Sequence, residues 1–250
     1  MRKPIIAGNW KMNGALEEAQ KLAQGVVDAL GDAKNADVAV CPPFTALSAV
    51  SMIVKGTNVK LGAQNCNEND SGAYTGEISP VFLKELGVDY CIIGHSERRQ
   101  YYAETDAKIN AKAKALYQHG IIPIICVGEL LDERKAGRTL DVVLGQVRGC
   151  LAELPREKMI ESVIAYEPVW AIGTGEVATP EQAQEVHAAI RAELAKLFDQ
   201  ELADAVRLQY GGSMKPDNAE GLMAKADIDG GLIGGAALKA DSFAGIVACC

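Results

Sequence analysis

Val163-Ile164-Ala165-Tyr166-Glu167-Pro168 and, one loop later, Thr179-Pro180-Glu181-Gln182 decide the fold. The first is a short run rich in β-branched residues, apolar on consecutive positions and closed by a proline. Strands buried on both faces, as in a parallel sheet, read this way. The second is a helix start: Thr as cap, Pro in the first turn, and Gln at the capping-box position. Together they make one strand-to-helix unit.

The same unit recurs along the whole chain. Eight short apolar runs stand at residues 5–7, 38–41, 59–63, 90–93, 121–127, 163–166, 206–209 and 231–233. Each is followed by Gly, Pro or polar residues, and helix-like stretches lie between them. Leu16–Leu30 carries apolar residues at helical spacing, residues 103–119 mix Ala and Lys in the same way, and Ser79-Pro80 is a second capped start. There is no linker or change of composition, so residues 1–250 read as one domain. An open doubly wound sheet fits the alternation too, but eight units in a chain of this length are the count of a (β/α)8 barrel. A chain of 250 residues buries roughly three-quarters of its unfolded surface, enough for a core without disulfides or metals.

A net charge of −8 argues against nucleic acid, whose binding needs a basic face. No stretch approaches the roughly 20 apolar residues that span a bilayer, and the N-terminal apolar run is too short for a secretory signal. The seven cysteines are odd in number and include no Cys-x-x-Cys pair, which reads as buried or idle thiols in a reducing, cytoplasmic setting. The glycosylation sequon at Asn69 has no secretory context. No spacing of His or Cys suggests a metal, and no P-loop is present. Gly173-Thr174-Gly175-Glu176-Val177-Ala178 matches a dinucleotide fingerprint, but that motif needs a tight turn straight from strand to helix. Here the strand ends near Glu167 and the helix is capped at Thr179, so no cofactor is expected.

In a barrel the chemistry sits at the C-terminal ends of the strands. Asn9 and Lys11 follow the first strand, His95, Ser96 and Glu97 the fourth, Glu167 the sixth, Gly211-Gly212-Ser213 the seventh and Gly234-Gly235 the eighth. All the reactive groups therefore fall on one face. Glycine loops after the last two strands bring backbone N–H groups close to an oxyanion, which is where barrels commonly hold phosphate. That site needs no basic side chain, and Lys11 adds a full positive charge, with Glu97 as its expected ion-pair partner. His95, at a helix start, is expected to be neutral and to donate a hydrogen bond to a carbonyl. Glu167 at the end of a buried strand is expected to have a raised pKa, as suits a general base, although an ion pair is an equal reading of that residue alone. His119 and His187 read as structural. A neutral His, a shielded Glu, a Lys and a phosphate cradle point to proton abstraction beside a carbonyl. His95, Lys11 and Asn9 would stabilise the enediolate, each preorganised donor contributing on the order of 3 kcal/mol.

Asn9-Trp10-Lys11-Met12-Asn13, Gly94-His95-Ser96-Glu97-Arg98-Arg99, residues 165–175 and Tyr210-Gly211-Gly212-Ser213 resemble the triosephosphate isomerase family, in order and from about residue 3 to 239. The resemblance implies a single TIM barrel, no cofactor, and interconversion of dihydroxyacetone phosphate and glyceraldehyde 3-phosphate in glycolysis and gluconeogenesis. It implies Glu167 as the base, His95 serving the substrate oxygens, and Asn9 and Lys11 lining the pocket. It implies that backbone amides of Gly173, Ser213, Gly234 and Gly235 hold the phosphate under a lid over residues 168–178. By the same resemblance Cys126 lies near the base, and the chain is a homodimer in which residues 72–77 interdigitate and Thr75 reaches the partner's pocket near Asn9 and Glu97. From the sequence alone that segment reads as a flexible surface loop. Ala237 stands where the family often has Ser, Met214 where a branched apolar residue is more common, and the last helix is expected to be short. A Schiff-base aldolase on Lys11 and a non-catalytic metabolite-binding barrel are the rival readings.

Overall fold

The computed structural model describes residues 2–172 and 176–250. Eight strands, β1 (Ile5–Asn9), β2 (Asp37–Cys41), β3 (Val59–Ala63), β4 (Tyr90–Ile93), β5 (Ile122–Val127), β6 (Val163–Tyr166), β7 (Arg207–Tyr210) and β8 (Gly230–Ile233), lie in chain order around one closed barrel. Every pairing is parallel, and β1 closes on β8 with Ile5 opposite Gly230. The open doubly wound sheet is thereby excluded.

The continuous apolar runs have a simple cause: alternate residues enter two different cores. Ile5, Ala7, Ala39, Ile92, Ile124, Cys126 and Ala165 pack together inside the barrel. Their neighbours Ile6, Val38, Val40, Ile93, Ile125, Val127 and Ile164 join the layer between the strands and the surrounding helices. Apart from Lys60 and the first residues of β2, β5 and β7, the strands are buried on both faces and lack the polar alternation of a half-exposed sheet. Gln209 is an exception inside the barrel: fully buried, it donates to the carbonyls of Ile5 (3.1 Å) and Gly231 (3.2 Å), tying β7 across to β1 and β8.

The helix starts form as their sequences dictate. Thr179 Oγ1 accepts from Gln182 N–H at 3.2 Å, and Gln182 Oε1 accepts from Thr179 N–H at 3.0 Å, opening the helix Pro180–Leu197. Ser79 Oγ accepts from Val81 N–H at 3.0 Å ahead of Pro80–Glu85. The stretch 103–119 begins later than expected. Ala103 adopts a left-handed backbone (φ 52°) that ends the helix Ser96–Tyr102, and Thr105 caps a new one, Asp106–Gln118. The last helix, Ala240–Val247, is short. All seven cysteines are free, and none of the helices among the described residues is long and apolar enough to cross a membrane.

Candidate active site

A cavity of about 740 Å³ opens at the C-terminal ends of the strands. Asn9, Lys11, His95, Glu167, Ser213, Gly234 and Gly235 all line it. The expected convergence therefore holds for these residues, while Gly173 and Thr174 lie outside the described residues. Ser96 and Glu97 stand just behind the wall, bonded to the groups that line it, and Cys126 lies beneath it in the barrel interior. Among the described residues no group of three or more His, Cys, Asp or Glu side chains is arranged to hold a metal.

Lys11 sits in a strained backbone (φ 51°), costly for a residue with a side chain and characteristic of sites where geometry is over-determined. Two side chains hold it there. Asn9 Oδ1 accepts from Lys11 N–H at 3.0 Å, which leaves the Asn9 amide N–H₂ as the donor available to the cavity. Gln64 donates through one amide group to the carbonyls of Lys11 (2.8 Å) and Cys41 (2.9 Å). The ammonium of Lys11 meets Glu97 Oε1 at 2.5 Å, so the anticipated ion pair is present.

His95 is 6% exposed and caps the helix Ser96–Tyr102, its Nδ1 accepting from Glu97 N–H at 3.2 Å. That contact leaves Nε2 as the nitrogen that carries the proton of a neutral ring, and Nε2 lies 3.0 Å from Glu167 Oε1. Burial pushes the ring's pKa down, but the adjacent Glu167 carboxylate outweighs it and holds the pKa above its ordinary value. The helix start alone predicts a depressed pKa; the carboxylate is what that reading omits.

Glu167 is 1% exposed. Its Oε2 accepts from Ser96 N–H at 2.9 Å and its Oε1 from Ser96 Oγ–H at 3.1 Å. The expectation of a raised pKa is reversed in this arrangement: burial raises it, but His95 and the two Ser96 donors together hold it below the usual carboxylate range. Beneath the pair, burial and the Glu167 charge push the Cys126 thiol well above its ordinary value, so it stays protonated and is no nucleophile.

The segment that follows Glu167 is anchored by a residue that the sequence reading passes over. Glu129, fully buried, accepts through Oε1 from Tyr166 O–H (3.1 Å), Trp170 Nε1–H (2.9 Å) and Arg134 (3.3 Å). Arg134 also stacks on the Trp170 ring at 4.7 Å. Gln64 and Glu129 each stand just past the end of a strand, the one positional signal for either; nothing local in sequence shows what they hold. On the opposite wall, Gly235 has open space where a side chain would stand, so backbone is accessible there. Ala237 is buried against Gly8, whose Cβ would approach it to 3.1 Å, so the position is filled by packing. His119 bonds Asp70 (2.7 Å) and His187 the carbonyl of Asp227 (3.0 Å), both away from the cavity, as structural histidines do.

A family model described as Triosephosphate isomerase matches residues 4–250. Proteins named triosephosphate isomerase from Herpetosiphon aurantiacus, Caldanaerobacter subterraneus subsp. tengcongensis and Chloroflexus aurantiacus are 57%, 56% and 53% identical to this chain over 247 residues, covering 99% of it and 99% of each of them.

Proposed function

We propose a mechanism from one premise: the chain belongs to the triosephosphate isomerase family and is an isomerase that interconverts dihydroxyacetone phosphate and glyceraldehyde 3-phosphate, a step of glycolysis. The observation that carries the mechanism is the pairing of the Glu167 carboxylate and His95 Nε2, 3.0 Å apart, on the wall of a cavity that Lys11 shares and that glycine backbone faces from the far side.

The phosphate enters against the backbone of Ser213, Gly234 and Gly235, with Gly173 contributing from the lid over residues 168–178. The substrate carbonyl oxygen then takes the His95 Nε2–H, which cannot serve Glu167 at the same time. Glu167 leaves Ser96 and turns to the carbon that carries the proton. This movement removes the donors that lower its pKa and leaves burial, which raises it. The carboxylate becomes a competent base at the moment it meets substrate. His95 loses the larger of the two charges that raised its pKa, the other being Glu97, and its burial then favours the neutral ring.

Glu167 takes the proton from the carbon beside the carbonyl, and the electron pair moves onto the oxygen. Lys11, the Asn9 amide and His95 Nε2–H stabilise that oxyanion. His95 passes a proton to one oxygen and recovers one from the other. Glu167 returns its proton to the neighbouring carbon, so protons and electrons balance without a cofactor. Closure of the lid excludes water and strengthens each electrostatic contact. A Schiff-base role for Lys11 is disfavoured, because its side-chain nitrogen is already engaged with the Glu97 carboxylate.

The same family reading proposes a homodimer of single-domain chains in the cytoplasm. Thr75 lies in an exposed run, 70–77, whose base is ordered by Asn67 donating to Glu77 (2.7 Å) and Ser79 to the Asp70 carbonyl (2.7 Å). Met12, Tyr74, Phe82, Tyr101 and Tyr102 are large and exposed on the segments that follow β1, β3 and β4, which supports a covered surface.

The test is a coupled assay of glyceraldehyde 3-phosphate isomerisation for wild type and Glu167→Asp. The shorter acid withdraws the carboxylate by about 1 Å, and activity falls on the order of 100-fold if placement matters as proposed. An undiminished variant removes Glu167 from the role of base.

A further inference from the structure

Gly128, the residue after β5, is in direct contact with the backbone of Glu167. A Cβ on Gly128 would stand 1.8 Å from the Glu167 carbonyl oxygen. The residues on either side of Gly128 carry the segment that presents the carboxylate: Glu167 N–H donates to the Val127 carbonyl (2.7 Å) and Val169 N–H to the Glu129 carbonyl (3.2 Å). A short ladder of two backbone hydrogen bonds thus joins the two segments past the ends of β5 and β6, and Gly128 lies between the residues that accept them.

In such a ladder the N–H and C=O of the intervening residue point the other way, toward the next strand. That strand is β4, and it has ended: Ile93 is its last residue, opposite Ile125. The orphaned groups of Gly128 are taken instead by one side chain from the helix Thr139–Leu151. Gly128 N–H donates to Gln146 Oε1 at 2.8 Å, and Gln146 Nε2–H donates to the Gly128 carbonyl at 3.0 Å. A carboxamide has the donor and acceptor of a peptide group, so Gln146 substitutes for one residue of the missing strand. Beside the pair lies a cavity of about 230 Å³, bounded by Ser96, Gly128, Leu130, Gln146 and Glu167. There is room for the turn at Gly128 to shift if it is released.

We infer that Gln146 is a positioning residue for the reaction: by clamping both backbone groups of Gly128 it fixes the ledge on which Glu167 rests. The inference rests on Glu167 being the base. Gln146 takes no part in the chemistry and does not line the substrate cavity. Its loss therefore affects the transfer step and leaves the phosphate loops after β7 and β8 untouched.

The experiment measures kcat and KM for Gln146→Met, Gln146→Glu, Glu167→Asp and the double variant Gln146→Met/Glu167→Asp. Methionine keeps the length and packing and removes both hydrogen bonds. The expected result is a kcat on the order of 10- to 100-fold lower in Gln146→Met, because misplacement by about 1 Å has that consequence, with KM within about twofold of wild type. In the Glu167→Asp background, where the carboxylate is already withdrawn, the same substitution has a smaller effect. Gln146→Glu adds a specific signature. Its ionised form has no donor for the Gly128 carbonyl, whereas its protonated form restores both bonds, so its kcat relative to wild type rises as pH falls. An unchanged kcat in Gln146→Met overturns the inference. So does an equal loss in both backgrounds, or a Gln146→Glu ratio that does not move with pH. Full activity in Glu167→Asp fails separately, by removing the base itself.

Discussion

Ser96→Ala isolates the forces that keep Glu167 ready. The hydroxyl of Ser96 donates to Glu167 Oε1 at 3.1 Å in a site where the carboxylate is 1% exposed. A hydrogen bond to a buried charge contributes about 1.5–3 kcal/mol. Removing it weakens the hold on the ionised form and raises the Glu167 pKa toward the value that burial alone implies. Ser96 N–H and His95 Nε2 keep their contacts, so part of the depression remains. The sign follows from the direction of the native shift. A carboxylate held below its ordinary pKa contributes stability above that ordinary value and loses it as pH falls through the folded one. Alanine at position 96 removes part of that contribution at neutral pH and makes the base protonate earlier on acidification. The profile of kcat/KM against pH reports the groups of the free enzyme, so its acid limb moves to higher pH. An acid limb that stays in place would show that Ser96 does not set the charge of Glu167.

Other consequences follow from the rest of the structure. His187 is fully buried, its Nδ1 bonded to the Asp227 carbonyl, and burial pushes its pKa down to about 4. The unfolded chain binds that proton first on acidification, so stability present above about pH 6.5 declines toward pH 4, by about 3 kcal/mol; denaturant titrations across that window show the decline in wild type and its absence in His187→Asn. Gln64→Ala removes two hydrogen bonds, one to the carbonyl of the strained Lys11 and one to that of Cys41, lowering stability by about 2 kcal/mol and raising KM, as thermal unfolding and steady-state kinetics will show. Thr75→Arg places a charge in the proposed partner pocket; light scattering is expected to give twice the chain's mass for wild type and a monomer of low activity for the variant, and a fully active monomer would remove the dimer from the account.

The strands were legible because burial on both faces leaves an unbroken apolar signal, as at Ile124, Ile125 and Cys126. The capping boxes were legible because Thr179 and Gln182 act on each other within one turn. That Asn9, Lys11, His95 and Glu167 meet at one cavity was legible too, since barrel topology places strand ends on one face. What was not legible depends on residues far apart in the chain. Glu167 and Ser96 are 71 positions apart, and only the fold brings them together to invert the pKa that burial alone implies. Gln64 and Lys11 are 53 apart, Glu129 and Trp170 41 apart. Ala103 breaks a stretch of good helix formers because Thr105 offers a stronger start, a competition that periodicity does not register.

In this mechanism Glu167 carries the transferred hydrogen as a proton. Isomerisation of glyceraldehyde 3-phosphate in D₂O, with the product examined by NMR, tests it most directly. A proton held on a carboxylate exchanges with solvent, so the account predicts product bearing deuterium on the carbon that receives the hydrogen. Turnover that never places deuterium at that carbon, in wild type or in the slower Glu167→Asp variant, would contradict it.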